Sequence, residues 1–193
     1  CVSCHFVDGK MNGPYDLVAP PHPTYRNPEY VRSGFCGSCH QKTFKEWKAT
    51  KEEDTCQDCH MPRTQARLTQ KFGLNLLHKK KGVGNHRFLH GEISEKDILM
   101  EASFQDNYFN ISLLNKTVPH GVPTADNGDP RLYLYFTFYN SEGEEVDRAK
   151  EILAPQQDTA LPFNKKVNFR YRLFDPINRV SVVLKYQPAW SKE

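Results

Sequence analysis

One short pattern, present three times, constrains this chain more than any other feature. It reads Cys1-Val2-Ser3-Cys4-His5, then Cys36-Gly37-Ser38-Cys39-His40, then Cys56-Gln57-Asp58-Cys59-His60. The three copies use all six cysteines. Six cysteines in an exported protein would ordinarily imply three disulfides, but a histidine directly after every pair argues otherwise. Zinc sites combine two Cys-x-x-Cys pairs in one tetrahedron, and three pairs do not divide that way. A thioredoxin-like pair would be single and set in a βαβ pattern, which is absent. Cys-x-x-Cys-His is the attachment signature of c-type haem. Two thiols add across the two vinyl groups of one porphyrin edge, and the two intervening residues set their reach. The next histidine lies under the iron. The sequence therefore predicts three covalent haem c groups. Cys1, Cys4, Cys36, Cys39, Cys56 and Cys59 would attach them, with His5, His40 and His60 as proximal ligands.

The chain has eight histidines, so His22, His78, His86, His90 and His120 remain. Three irons need at most three distal ligands, and the supply covers bis-histidine ligation. A filled sixth position leaves no place for substrate and favours electron transfer. Methionine is the other common sixth ligand. Of Met11, Met61 and Met100, Met61 directly follows a proximal histidine and is badly placed to fold back on that iron. Local context ranks the spare histidines. His22 sits in the stiff segment Pro20-Pro21-His22-Pro23. His86 follows the Gly82-Val83-Gly84 turn, and His120 is held in Val118-Pro119-His120-Gly121-Val122-Pro123. His22, His86 and His120 are the expected distal ligands. His78, at the head of the Lys79-Lys80-Lys81 run, and His90, close to His86, remain alternatives.

The chain changes character near Ile93. Before it, Gly, Pro and Lys are frequent and one helix is readable, about His40 to Lys51, with Phe44 and Trp47 on one face. That face packs on a porphyrin or makes an ordinary core contact. After it, residues alternate with period two. Phe109, Ile111 and Leu113 share a side, as do Leu132, Leu134, Phe136 and Phe138 opposite Tyr133, Tyr135, Thr137 and Tyr139. Val167, Phe169, Tyr171 and Leu173 repeat the pattern, and Val180, Val182 and Leu184 follow. Asp106-Asn107, Asn127-Gly128-Asp129-Pro130, Ser141-Glu142-Gly143 and Asp175-Pro176 punctuate the runs. Six or so short strands imply an antiparallel sandwich. The expected fold is α+β. An irregular, partly helical trihaem domain spans 1–92, and a small antiparallel β-sandwich-like domain spans 93–193 and contributes His120 to the haem region.

The 193 residues carry a net charge of +3, too small for a nucleic-acid binder. Between Met61 and His90 there are seven basic residues and no acidic ones, either a solvated loop or a surface that balances haem propionates or steers an acidic redox partner. No apolar run is long enough to span a membrane. Covalent haem attachment belongs to exported proteins, so a leader ahead of Cys1 is expected to have been removed. Asn110-Ile111-Ser112 and Asn115-Lys116-Thr117 match the glycosylation pattern, which is ordinarily silent in a bacterial periplasm.

From Cys1 to His120 the chain resembles multihaem c-type cytochromes that place haem motifs ahead of a small β-domain. The matching pieces are Cys36-Gly37-Ser38-Cys39-His40-Gln41, Thr55 to Pro62, His86-Arg87-Phe88, and Val118 to Thr124 leading to Arg131. The resemblance implies that His86 and His120 are distal ligands, and His22 likewise. It implies an electron-transfer relay rather than an enzyme, exported to the periplasm or cell surface. Redox proteins, other multihaem cytochromes among them, would be its partners. A subunit of an extracellular conductive filament, or of a larger complex, is the alternative. A multihaem reductase or oxidase, which needs one open iron, is a further one.

Overall fold

In the computed structural model the described residues are 2–17, 20, 22–69, 73–88, 93–125 and 128–189. The chain divides into two compact units. The first comprises Cys1–Phe44 and Glu52–Gly91, the second Lys45–Lys51 and Glu92–Glu193.

The first unit is built of short pieces. In order they are α1 (Val2–His5), β1 (Phe6–Val7), β2 (Lys10–Gly13), β3 (Thr24–Arg26), α2 (Ser33–Gly37), α3 (Gln41–Thr50), α4 (Cys56–His60), β4 (Arg63–Ala66), α5 (Leu74–Leu77) and β5 (Lys81–Gly84). The later part of α3, from Lys45, counts with the second unit. β1, β2 and β3 form one small sheet, and β4 pairs antiparallel with β5. Among the described side chains of this unit, only Ser33 and Gly37 are buried. Phe6 and Phe88 remain half exposed. Among the described residues the polypeptide here assembles no apolar core of its own, as the scarcity of periodic hydrophobic residues leads one to expect.

The second unit behaves in the opposite way. Among the described residues six strands follow in order: β6 (Ile98–Gln105), β7 (Tyr108–Asn115), β8 (Arg131–Tyr139), β9 (Glu145–Leu153), β10 (Lys166–Arg172) and β11 (Arg179–Gln187). They form two antiparallel three-stranded sheets, ordered β10-β7-β6 and β11-β8-β9. The period-two residues point as expected. Phe109, Ile111 and Leu113 of β7 and Leu132, Leu134, Phe136 and Phe138 of β8 are buried in one cluster. Ring contacts cross between the sheets: Phe136 meets Phe109 edge-on at 6.2 Å and Tyr171 at 4.5 Å. The architecture is α+β with sandwich-like antiparallel sheets. The β6–β7 hairpin closes through Asp106 and Asn107, both at positive φ, the geometry a two-residue turn needs to match strand twist. On the outer side of β8, Lys150 sits 4.2 Å over the Tyr133 ring and Arg179 4.2 Å over Tyr139. These cations lie on aromatic faces rather than in carboxylate pairs.

The approach to β6 is fixed by a polar knot. The Asp97 carboxylate accepts hydrogen bonds from the Ser94 amide (2.8 Å), the Ser94 hydroxyl (2.7 Å) and the Thr117 hydroxyl (2.5 Å). The hydroxyls of Ser94 and then Thr117 hold its carboxyl below the usual aspartate range.

Two outcomes are expected. Phe136→Ala should lower unfolding stability by about 3–5 kcal/mol, as for other buried aromatic truncations, read from denaturant unfolding of the full chain. The folded carboxyl of Asp97 is depressed, so its stabilisation is complete above the ordinary aspartate value of about 4 and is lost as pH falls through the lower folded value. Asp97→Asn should flatten that acid limb in a series of unfolding curves against pH.

Candidate haem-attachment motifs and iron ligands

Each motif folds as a turn of helix. The first runs through α1, and the third is α4 itself. The second begins in α2 and is carried on by two amides, those of Cys39 (3.2 Å) and His40 (2.9 Å), donating to the Cys36 carbonyl. Residues three and four apart share a helix face, so in the second and third motifs the two cysteines and the histidine are offered on one side. Thr55 starts the third motif with a reciprocal cap. Its hydroxyl accepts from the Asp58 amide (3.2 Å), and the Asp58 carboxylate accepts from the Thr55 amide (2.9 Å). Cys1 lies outside the described residues. Cys4, Cys36, Cys39, Cys56 and Cys59 carry free thiols, the form that adds to vinyl groups.

The motifs are laced together by side chains that the sequence did not single out. The Cys56 amide donates to the Ser33 hydroxyl at 3.0 Å. Gln57 donates to the carbonyls of Tyr30 (3.2 Å) and Arg32 (2.9 Å). Tyr30 in turn donates to the Cys4 carbonyl (2.5 Å) and stacks on the His5 ring at 4.9 Å. The Cys36 and Cys56 thiols shift in opposite directions: their interaction holds Cys56 below its ordinary range and pushes Cys36 above, with burial adding to the rise. Burial also raises Cys59. Gly37 is required by packing: a Cβ there would stand 2.5 Å from the Phe44 ring. Phe44, expected on the packing face of α3, therefore rests on the backbone of the second motif.

The histidines separate by geometry. His5 and His86 are brought together, with ring centroids 5.8 Å apart and planes at 49°. The Nδ1 of His5 donates to the Asn12 carbonyl at 2.7 Å, and that of His86 to the Gly84 carbonyl at 2.9 Å. A carbonyl accepts only from a protonated nitrogen, so Nε2 is the nitrogen each ring has for a metal. Two imidazole–metal bonds of about 2 Å each, with half a ring beyond each nitrogen, place such centroids roughly 6 Å apart. The 5.8 Å separation of the His5 and His86 rings matches that spacing. His86 reaches His5 because β4 and β5 fold back after the third motif, with the Asn85 amide donating to the Pro62 carbonyl at 3.1 Å.

His22 is exposed, with Nδ1 3.4 Å from the Pro23 carbonyl. His40 is exposed, whereas His60 and His78 are half-buried. His90 lies outside the described residues. His120, in the second unit, is half-buried and its Nδ1 donates to the Gly121 carbonyl at 2.9 Å. Among the described residues no group of three or more His, Cys, Asp or Glu side chains is placed to hold a metal ion. A bis-histidine iron asks the protein for only two. No helix among them is long and apolar enough to cross a membrane.

No protein-family model matches the chain, and no curated protein matches it. Among solved structures it is similar to a penta-heme cytochrome c552 from Thermochromatium tepidum, with a TM-score of 0.56 and 20% identity over 97% of this chain. The chain spans 56% of that protein's length. At this identity the similarity is one of fold: a multihaem-cytochrome-like arrangement of an irregular part and antiparallel sheets.

Gly37→Ala should cost about 1–3 kcal/mol by overpacking against Phe44. Phe44→Leu in the same chain should recover part of that loss in a double-mutant cycle on unfolding.

Proposed function

We propose that the chain is an exported multihaem c-type cytochrome that relays electrons between redox partner proteins. Haem c groups would be attached at Cys1 and Cys4, at Cys36 and Cys39, and at Cys56 and Cys59. His5, His40 and His60 would be the proximal ligands. The domains would be 1–92 for the haems and 93–193 for the β-sandwich. The observation that carries this reading is the His5–His86 pair, with ring centroids 5.8 Å apart, planes tilted by 49° and each Nδ1 committed to a backbone carbonyl. It supports His86 as the distal ligand opposite His5. The scarcity of buried apolar side chains among the described residues of the first unit supports it too, since a small domain with few of them needs another source of cohesion. Bound haem supplies reversible one-electron chemistry, and the chain supplies attachment, orientation and axial ligands. Tyr30 holds the His5 ring, and the Asn12 and Gly84 carbonyls fix the two tautomers. His120 and His22 are proposed as further distal ligands on their sequence contexts, with His78 and His90 as substitutes. Six-coordinate iron leaves no site for substrate, which favours transfer over catalysis.

A second reading, assembly of copies into a filament, has one feature in its favour. β6 is an edge strand, and its Met100 and Phe104 are 44% and 57% exposed. Unpaired apolar edges pair readily with other chains. Particle size by light scattering separates the two: a monodisperse small species supports the relay alone.

Low-temperature electron paramagnetic resonance of the oxidised protein should give low-spin signals only. His86→Ala should convert one haem to high spin. A high-spin signal in the unmodified protein would instead support a catalytic iron. A purified chain without Soret absorbance, or without the mass of added iron-porphyrin, would end the haem reading altogether.

A further inference from the structure

We propose that Asn115 is the positioning residue for His120, a role that rests on reading His120 as an iron ligand. Asn115 ends β7 and its side chain is fully buried. A buried amide is costly unless every polar atom finds a partner, and here all of them do. Its Nδ2 donates to the carbonyls of Val118 (2.9 Å) and His120 (2.8 Å), with the Leu161 carbonyl at 3.5 Å. Its Oδ1 accepts from the Val118 amide at 3.1 Å. The segment from Val118 to His120 thus closes around one side chain. The His120 amide completes the turn by donating to the Val118 carbonyl at 2.8 Å.

The other side of His120 is tied down as firmly. The Gly121 amide donates to the Glu46 carboxylate at 2.9 Å, and a Cβ at Gly121 would stand 3.1 Å from that oxygen. Val122 and Leu161 exchange both backbone hydrogen bonds, at 3.0 and 2.7 Å. The imidazole is therefore oriented at its own Nδ1 by Gly121, while its backbone is held by Asn115. Asn is suited to this place because one planar group must both accept from an amide and donate to carbonyls. Leucine would fill the volume and satisfy none of them. Aspartate would keep the acceptor and lose the donors. Groups that orient a metal-ligating histidine commonly matter nearly as much as the ligand.

The test uses the full haem-loaded chain and carbon monoxide as the probe of an opened iron. His120→Ala should give one high-spin haem that binds carbon monoxide. Asn115→Ala should keep His120 yet raise the rate of carbon monoxide binding by roughly ten- to hundredfold, the usual scale for losing an orienting partner. Added imidazole should restore the low-spin signal of His120→Ala. Asn115→Asp carries the same test should Asn115→Ala fail to fold. Phe136→Ala, destabilised in the same core but touching none of these groups, should leave carbon monoxide binding unchanged. The proposal is overturned if Asn115→Ala or Asn115→Asp behaves as wild type while His120→Ala opens an iron, or if Phe136→Ala raises the rate equally. If His120→Ala itself alters nothing, the ligand reading falls and the positioning role falls with it.

Discussion

A single helical turn sets the terms for the first half of this molecule. Positions i, i+3 and i+4 share a side, so a cysteine, a second cysteine and a histidine face one way only if each motif is wound up. Short helices have little intrinsic stability in water, and these turns are held by neighbours instead. Thr55 and Asp58 cap the third, Ser33 and Gln57 fasten it to the segment before the second, and Tyr30 reaches the carbonyl and ring of the first. Much of the first unit can be understood as the means of keeping three such turns wound and mutually fixed with few buried apolar side chains among the described residues.

The second unit reaches order by the ordinary route. Alternating side chains on β7 and β8 bury a continuous cluster, and edge-on aromatic contacts at Phe136 join the two sheets. The sandwich then offers a rigid support for one loop. Asn115 and the Val122–Leu161 bonds convert strand ends into a defined position for His120. The contrast between the units follows from where the apolar residues are: abundant and periodic after Ile93, sparse and irregular before it.

Much of this was legible in the sequence, for identifiable reasons. The strands β7, β8, β10 and β11 announced themselves by strict alternation, and α3 by Phe44 and Trp47 with lysines opposite. β6 and β9 did not, because long stretches of them are wetted on both faces: Glu101 to Gln105 and Glu145 to Arg148 are exposed throughout, whereas the other two edge strands, β10 and β11, keep one face partly covered. The cysteine spacing was self-evident. The approach of His86 to His5 was not, since it depends on the β4–β5 return, whose four-residue strands carry no periodic signal. Gly37 is one of the two residues between the cysteines of its motif, and nothing local in the sequence shows that the Phe44 ring packs against it. Asn115 read only as part of a glycosylation pattern, because nothing local shows that its partners include a carbonyl at Leu161, far along the chain.

That last residue has a practical bearing on making the protein. Two sequons lie close together, yet they meet opposite environments. Asn110 stands partly open on the outer side of β7, whereas Asn115 is sealed with its nitrogen already engaged. A eukaryotic secretory host attaches sugars as the chain emerges, before such sealing occurs. A glycan at Asn110 would be carried harmlessly at the surface; one at Asn115 would leave the end of the sandwich unable to shut. Removing the second acceptor at Thr117 would spare the asparagine, at the cost of the hydroxyl that bonds the Asp97 carboxylate.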